Sequence, residues 1–72
     1  MTLTELRYIV TLAHERHFGR AAEKCHVSQP TLSVAVQKVE KRYRMILFER
    51  SAAEVRLTAI GEQIVRQAER VL

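Results

Sequence analysis

The sequence predicts a mainly α-helical domain that carries one short, two-stranded β-hairpin. Four stretches of the chain repeat apolar residues at the spacing of one helical face. Three of these stretches directly follow a Ser or Thr, which favour helix N-termini, and an alternating segment lies between the third and the fourth. With 72 residues, the chain has room for one small domain.

The first two helices are predicted by a cap and by two apolar stripes. Thr2 and Glu5 have the capping-box spacing, in which each side chain binds a free backbone amide at the helix start. The first stripe is Leu6, Ile9, Val10 and Ala13, and the second is Phe18, Ala21, Ala22 and Cys25. The small side chains of the two alanines allow another helix to approach closely.

A third helix is predicted after a short polar break at residues 26–30. Ser28 is a good N-cap, and Pro30 fits the first helical turn because the amides there lack partners. The apolar stripe of this helix is Leu32, Val36, Val39 and Tyr43. Its other faces carry Gln29, Thr31, Ser33, Val34, Gln37, Lys38 and Lys41. We therefore expect the third helix to present a polar and basic face to solvent.

Residues 45–58 predict the hairpin. The run MILF at residues 45–48 loses the helical period, and VRLT at residues 55–58 alternates apolar with polar side chains. The connecting residues 49–54 contain no Asn-Gly or Asp-Gly pair, so we expect a loop longer than two residues between short strands.

A fourth helix is predicted from Thr58, which can cap it, to the end of the chain. Its broad apolar face comprises Ile60, Ile64, Ala68 and Val71, with Val65 and Leu72 beside them. A lone domain would expose this stripe to water, so we expect it to pair with a second copy of the chain. Because the pattern runs to the last residue, we also expect the sequence to be part of a longer protein.

Positive charge is concentrated in one short stretch. The net charge is +4, and residues 37–50 contain five basic side chains against two acidic ones. This basic patch favours an anionic partner such as nucleic acid, although a basic run taken alone is also typical of a solvated face. We expect four of its members to neutralise phosphates, namely Lys38, Lys41, Arg42 and Arg50.

Composition excludes several classes of protein. No apolar run approaches the roughly 20 residues that span a bilayer, and the first residues lack the blocks of a signal peptide. A single cysteine cannot form an internal disulfide, in keeping with a reducing compartment. We therefore expect a soluble, cytoplasmic protein without a membrane partner. The chain has no Asp and no convergent set of titratable residues, so we expect neither enzymatic activity nor a cofactor.

The histidines and the cysteine do not have the spacing of a metal site. His14, His17, Cys25 and His26 match neither a CxxC nor an HExxH pattern. Cys25 lies on the predicted core face of the second helix, where a free thiol behaves as a small hydrophobe. We expect no metal site and a buried, structural Cys25.

Two helices joined by a short turn and followed by a basic hairpin are the parts of a winged helix-turn-helix. In that fold the N-terminal end of the third helix enters the major groove of double-stranded DNA. Gln29 lies at this end and can donate to and accept from the edge of adenine, while Pro30 and Val34 offer apolar surface to a thymine methyl. The hydroxyl groups that suit phosphate contacts belong to Ser28, Thr31 and Ser33.

These segments resemble a known family. The runs FGRAAEKCHVSQPTLSVAVQKVE, LFER and VRLTAIGE are similar to the N-terminal domain of LysR-type transcriptional regulators, over essentially the whole chain. Within the family, TELRYIVTLAHERHFGRAAEKCHVSQPTLS and LFERS are most similar to its peroxide-responsive activators. The resemblance implies a third helix that reads an interrupted palindrome and a fourth helix that pairs two subunits. It also implies a C-terminal effector domain beyond this sequence and a tetrameric full-length protein.

The resemblance assigns roles by position. It implies a DNA-binding domain at residues 1–57, with the helix-turn-helix at about 18–37 and the wing at about 45–57, and a dimerisation helix that starts at residues 58–72. The base-reading residues would be Gln29, Pro30, Ser33 and Val34. The DNA backbone would be met by Ser28, Thr31, Gln37, Lys38, Lys41 and Arg50. Dimerisation would use Ile60, Ile64, Ala68 and Val71.

The sequence departs from the family pattern at two places. Arg44 occupies the position where the family usually has a glycine after the third helix. If this residue is left-handed, a side chain there costs about 1 kcal/mol. Ala52 and Ala53 stand at the wing tip where a basic residue is common, so positive charge has moved from the tip of the wing to its base.

Two other interpretations of the same residues remain open. A winged helix can bind protein instead of DNA, but it would need an exposed apolar face on the third helix, and this face carries Gln29, Ser33 and Lys38. The aromatic residues Phe18, Tyr43 and Phe48 suit base stacking on single strands. The first two lie on apolar stripes, so we expect them in the core.

Overall fold

A computed structural model describes residues 1–51 and 54–72 of the chain. The elements in order are α1 (Leu3–Glu15), α2 (Phe18–Lys24), α3 (Gln29–Tyr43), β1 (Phe48–Arg50), β2 (Val55–Leu57) and α4 (Ala59–Val71). Three helices pack around one core, an antiparallel hairpin follows α3, and α4 packs back on α1. The predicted winged helix-turn-helix is confirmed. The departure expected at Ala52 and Ala53 lies outside the described residues.

The helix starts follow the sequence signals. The Thr2 hydroxyl accepts from the amide of Glu5 at 3.1 Å, and the Glu5 carboxylate accepts from the amide of Thr2 at 3.0 Å, which confirms the capping box. Ser28 caps α3 and Thr58 caps α4, also as predicted. The cap of α2 is His17, whose ring Nδ1 accepts from the amide of Arg20 at 3.0 Å. We did not predict this cap.

Three helices end at left-handed residues, namely Arg16 after α1, His26 after α2 and Arg44 after α3, and the last two close the same type of turn. After α2, His26 has a φ of 58°, and the amide of Val27 donates to the carbonyl of Ala22 at 3.0 Å. After α3, Arg44 has a φ of 52°, and the amide of Met45 donates to the carbonyl of Glu40 at 3.0 Å. The strain expected at Arg44 is therefore present, because only glycine adopts this conformation without cost.

The core is built from the predicted stripes, with two corrections. Its buried side chains are Ile9, Leu12, Ala21, Ala22, Leu32, Val36, Val39, Leu47, Phe48, Val55 and Val65. Phe18 is partly buried against this cluster. Tyr43 was expected in the core but is 41% exposed, since it is the last residue of α3 and its hydroxyl accepts from the Met1 amino group at 2.9 Å. Cys25 was expected to be buried and is only half-buried, at the end of α2.

The hairpin begins later than the sequence indicated. Met45, Ile46 and Leu47 precede β1, whose pairs with β2 are Phe48 with Leu57, Glu49 with Arg56 and Arg50 with Val55. The amide of Leu47 donates to the Glu40 carboxylate, and its carbonyl accepts from the amide of Thr58, so both backbone groups are used outside the sheet. At the other end, the Ser51 amide donates to the Glu54 carbonyl at 3.2 Å and closes the loop.

Gly61 sets how closely α4 approaches the base of the wing. A Cβ atom at this position would lie 2.3 Å from the Leu47 carbonyl oxygen. The Thr58 hydroxyl also binds this segment, donating to the carbonyl of Ile46 at 2.6 Å. The fourth helix is therefore fixed to the start of the wing by a contact that leaves no room for a side chain.

Among the described residues, no helix is long and apolar enough to cross a membrane.

Candidate nucleic-acid interface

The N-terminal end of α3 projects from the surface. Ser28, Gln29, Pro30 and Thr31 are all exposed, and one turn further Val34 is 48% exposed. At 100° per residue, Pro30 and Val34 point directly away from the buried stripe of α3. Gln37 and Lys41 continue this outward face toward the helix C-terminus, and both are exposed. The result is a convex ridge about one helix wide, the shape that a major groove admits.

The two hydroxyls at this end are linked to each other. The Ser28 hydroxyl accepts from the Thr31 amide at 3.2 Å and donates its proton to the Thr31 hydroxyl at 2.8 Å. The bond between the two hydroxyls uses one of their two protons, so the pair keeps one proton for a phosphate oxygen. Ser33 is half-buried on the flank of the helix.

The cations of the basic patch fall into two groups. Lys38, Lys41 and Arg44 are exposed, and none of them has an acidic partner within 4.0 Å among residues 1–51 and 54–72. Arg42 and Arg50 are instead engaged within the fold. The free positive charge therefore lies along the exposed side of α3.

Arg42 forms a bidentate pair with Glu5 on α1, with distances of 3.1 and 3.2 Å between guanidinium nitrogens and carboxylate oxygens. This pair, together with the amide of Thr2, holds the pKa of the Glu5 carboxyl below its ordinary value. It also raises the pKa of Arg42. We expected Arg42 to neutralise phosphate, but in the structure its charge joins α3 to α1.

Arg50 is the last residue of β1, and its side chain contacts both α2 and α3. A guanidinium nitrogen is 3.7 Å from a Glu40 carboxylate oxygen, and the group stacks 5.3 Å above the centre of the Phe18 ring. Its side chain is 39% exposed, so one edge faces solvent. Arg50 thus anchors the wing and has donors left for a second anion.

Comparison with known proteins identifies the family of this chain. The profile of bacterial regulatory helix-turn-helix proteins of the lysR family matches residues 3–62. This chain belongs to the LysR family. The match includes α1, α2, α3, both strands and the start of α4, so it covers the ridge and the basic patch together.

Individual LysR-family relatives agree with this assignment. The chain is 47% identical over 72 residues to the DNA-binding transcriptional dual regulator OxyR of Escherichia coli K12, covering 100% of this chain and 24% of that protein. Full-length OxyR C199D from Pseudomonas aeruginosa is 69% identical, with a TM-score of 0.92 over 99% of this chain and 24% of that one. These relatives are regulators rather than enzymes. The chain spans about a quarter of their length.

A third relative is a complex with DNA. The BenM DNA-binding domain bound to benA site 1 DNA is 34% identical to this LysR-family chain, with a TM-score of 0.94. The match covers 99% of this chain and 80% of that one. The fold of the present chain is therefore also that of a domain that has been solved on DNA.

The predicted dimerisation residues of this LysR-family domain differ in exposure. Ile60 is 42% exposed and Val71 is 65% exposed. Ile64 is half-buried against the core, and Ala68 is only 2% exposed. Of the four predicted residues, Ile60, Ile64 and Val71 therefore leave apolar surface exposed on α4, whereas Ala68 packs within the chain.

The residues considered as metal ligands occupy separate structural positions. His14 Nε2 lies 2.8 Å from a Glu69 carboxylate oxygen and joins α1 to α4. His17 caps α2, Cys25 ends it, and His26 is the left-handed residue of the turn that follows. These residues therefore serve different parts of the fold.

Sequence reasoning missed the roles of Glu40 and His17. Glu40 is 7% exposed and accepts backbone hydrogen bonds from the start of the wing. The available signal was its position next to Val36 and Val39, on the buried side of the α3 stripe. For His17 the signal was its place directly before the second apolar stripe.

Proposed function

We propose that this chain is the DNA-binding domain of a bacterial LysR-type regulator and binds double-stranded DNA sequence-specifically. The α3 ridge would enter the major groove of each half-site of an interrupted palindrome. The observation that carries the proposal is the exposed N-terminal end of α3 beside the exposed cations Lys38 and Lys41 of the same helix. The DNA complex of a relative that is 34% identical supports it.

Base reading is assigned to the first two turns of α3. Gln29 carries a donor and an acceptor on one amide, which matches the edge of adenine in the major groove. Pro30 and Val34 are exposed and apolar, and they suit contact with thymine methyl groups. Ser33 lies one turn after Gln29 on the adjacent flank, where its hydroxyl reaches a neighbouring base.

Backbone contacts are assigned to residues around this ridge. Lys38 and Lys41 supply unpaired charge, and Thr31 and Gln37 supply neutral donors on the exposed side of α3. Arg50 adds a contact from the wing through its solvent-facing edge. Ser28 holds the helix start as its N-cap and adds a backbone contact through the hydroxyl pair that it forms with Thr31.

The chain would work as a homodimer inside a larger protein. The exposed edge of α4, formed by Ile60, Ile64 and Val71, would pair with its copy and place two α3 ridges on the two half-sites. Residues 1–57 would serve as the DNA-binding domain and residues 58–72 as the start of the dimerisation helix. An effector domain outside this sequence is supported by the length of OxyR, of which this chain spans 24%. A role as a peroxide-responsive activator is supported by a relative from Pectobacterium carotovorum that is 47% identical and is described as a hydrogen peroxide-inducible genes activator. A tetrameric full-length protein and a cytoplasmic location are proposed on the family resemblance alone.

Selection from a random duplex pool tests the proposal. The chain is incubated with duplexes that contain a randomised segment of about 30 base pairs, three turns of DNA, and bound molecules are amplified and sequenced. We expect enrichment of a sequence with two related, inverted half-sites. Retention of duplexes without any enrichment would contradict sequence-specific binding. Failure to retain duplex at all would favour the protein-interaction alternative.

A further inference from the structure

Gly19 lies where the second helix meets the proposed base reader. A Cβ atom at this position would be 2.8 Å from His17 Cε1 and 3.2 Å from His17 Nδ1. The same atom would be 3.7 Å from the Gln29 side-chain oxygen. The His17 ring and the Gln29 carboxamide therefore both border the space that a side chain at position 19 would occupy.

The His17 ring is fixed on one side of this space. Its Nδ1 accepts from the Arg20 amide at 3.0 Å and caps α2, so the ring cannot turn away without leaving that amide unpaired. An alanine at position 19 must displace this ring, because 2.8 Å is too short for two carbon atoms that are not bonded. The absence of a side chain at Gly19 thus permits the cap.

Gln29 is on the other side of the space. It is the first residue of α3 and is exposed. An alanine at position 19 would touch its oxygen at ordinary van der Waals distance, and a longer side chain would occupy the volume that the carboxamide uses. The Gly19 backbone and the His17 ring border the space beside the Gln29 oxygen, and we call these two groups the wall of that space.

We propose that Gly19 is a positioning residue for base reading, which sets the orientation of the Gln29 carboxamide through the shape of this wall. The proposal rests on the proposed function, since it requires that Gln29 reads a base pair. Gly19 would contribute no contact of its own to the DNA. Its substitution would therefore alter discrimination at the Gln29 base pair more than it alters affinity for unrelated duplex.

A double-mutant cycle tests this coupling. Gly19→Leu and Gly19→Ala are each made alone and together with Gln29→Ala, with Glu23→Ala as a control on an exposed site of the same helix. Dissociation constants are measured by anisotropy on the selected duplex, on duplexes with each single base-pair change, and on a scrambled duplex. Circular dichroism and thermal melting establish that each variant is folded.

We expect Gly19→Leu to lower the preference at one base-pair position by about 5-fold or more, the lower end of what a base contact provides. Gly19→Ala should act in the same direction more weakly, and affinity for the scrambled duplex should stay within about 2-fold, since no phosphate contact is removed. Gln29→Ala should lower the preference at the same position. In the Gln29→Ala background, neither substitution at position 19 should have a further effect there.

Three results would overturn the proposal. One is an equal loss on all duplexes, and another is an effect at a base pair that Gln29→Ala does not change. The third is an effect that persists in the Gln29→Ala background. If Gln29→Ala itself changes no base-pair preference, the base-reading part of the proposed function fails first, and the role of Gly19 fails with it.

A further variant keeps the test decisive if Gly19→Leu does not fold. His17→Asn retains an efficient N-cap and removes the ring from the wall. It should weaken discrimination at the Gln29 base pair while the melting temperature stays close to that of the wild type. Unchanged discrimination in both His17→Asn and Gly19→Ala would contradict the proposal.

Discussion

The side chain of Glu40 on α3 accepts a hydrogen bond from the backbone amide of Leu47 at 2.8 Å. The same oxygen accepts from the amide of Phe48 at 3.2 Å, and the other oxygen lies 3.7 Å from Arg50. One buried carboxylate thus holds the end of the predicted recognition helix, the start of the wing and a wing cation together. The position of the wing relative to α3 depends on this contact.

Substitution of Glu40 should lower the free energy of unfolding, and the loss should be smaller when the new side chain still has a hydrogen-bond acceptor. Glu40→Ala leaves two buried amides without a partner, and we expect a loss of roughly 2 to 4 kcal/mol in the free energy of unfolding. Glu40→Gln retains an acceptor oxygen and should cost less. Urea unfolding measures both, with the exposed Glu49→Ala as the control. Equal stability of Glu40→Ala and Glu49→Ala would contradict the role given to this carboxylate.

The Glu5 and Arg42 pair should make stability depend on pH in the acidic range. Because folding lowers the pKa of Glu5 from its ordinary value of 4.5, its contribution is fully present above that value and is lost as the pH falls through the folded-state pKa. Glu5→Gln keeps the capping box and removes the charge. The wild type should therefore melt at a higher temperature than Glu5→Gln at pH 7, and the difference should shrink by pH 3. A difference that stays constant with pH would refute this account.

Dimerisation is best tested at exposed positions of α4. Ile60→Glu or Val71→Glu places a charge on the proposed interface without disturbing the core, whereas Ile64→Glu would also perturb the fold because Ile64 packs on the core. Sedimentation over a range of concentrations should show weaker association for both exposed variants. Gln63→Glu, on an exposed face of the same helix, should associate as the wild type does. Unchanged association of Ile60→Glu would contradict the interface.

Lys38 and Lys41 should determine how strongly binding depends on salt. Each Ala substitution should weaken binding to selected and scrambled duplexes alike and reduce the slope of log K against log salt by about 0.9. Arg66→Ala removes an exposed charge from α4 and should leave the slope unchanged. Arg42→Ala should lower stability and have little effect on the slope, because its charge is used by Glu5. A change of preference at one base pair in Lys38→Ala would indicate base reading.

Much of the fold could be predicted because its signals are local. The Ser28 cap and Pro30 fix the start of α3 within a few residues, and this start is also what exposes Gln29. The capping box of Thr2 and Glu5 likewise depends only on residues three apart. The part of the candidate site that lies at the start of α3 could therefore be predicted from the sequence.

The errors concern contacts between distant parts of the chain. The start of β1 was placed too early because the backbone of Leu47 is bound by Glu40 and Thr58, which no local pattern reveals. Arg42 pairs with Glu5, which lies 37 positions away in the sequence. The sequence alone therefore could not distinguish this paired arginine from the exposed Lys38 and Lys41. Tyr43 continued the apolar stripe, but the helix ends there and its ring remains exposed.

The most direct test of the account is the specificity ratio of Gln29→Ala. The dissociation constants of the wild type and the variant are measured on the selected duplex and on a scrambled duplex of equal length, each at two salt concentrations. We predict that the substitution weakens binding to the selected duplex by about 5- to 150-fold, which corresponds to roughly 1 to 3 kcal/mol. Affinity for the scrambled duplex and the salt slope should not change. An equal loss on both duplexes would contradict the account and would place Gln29 on the phosphate backbone.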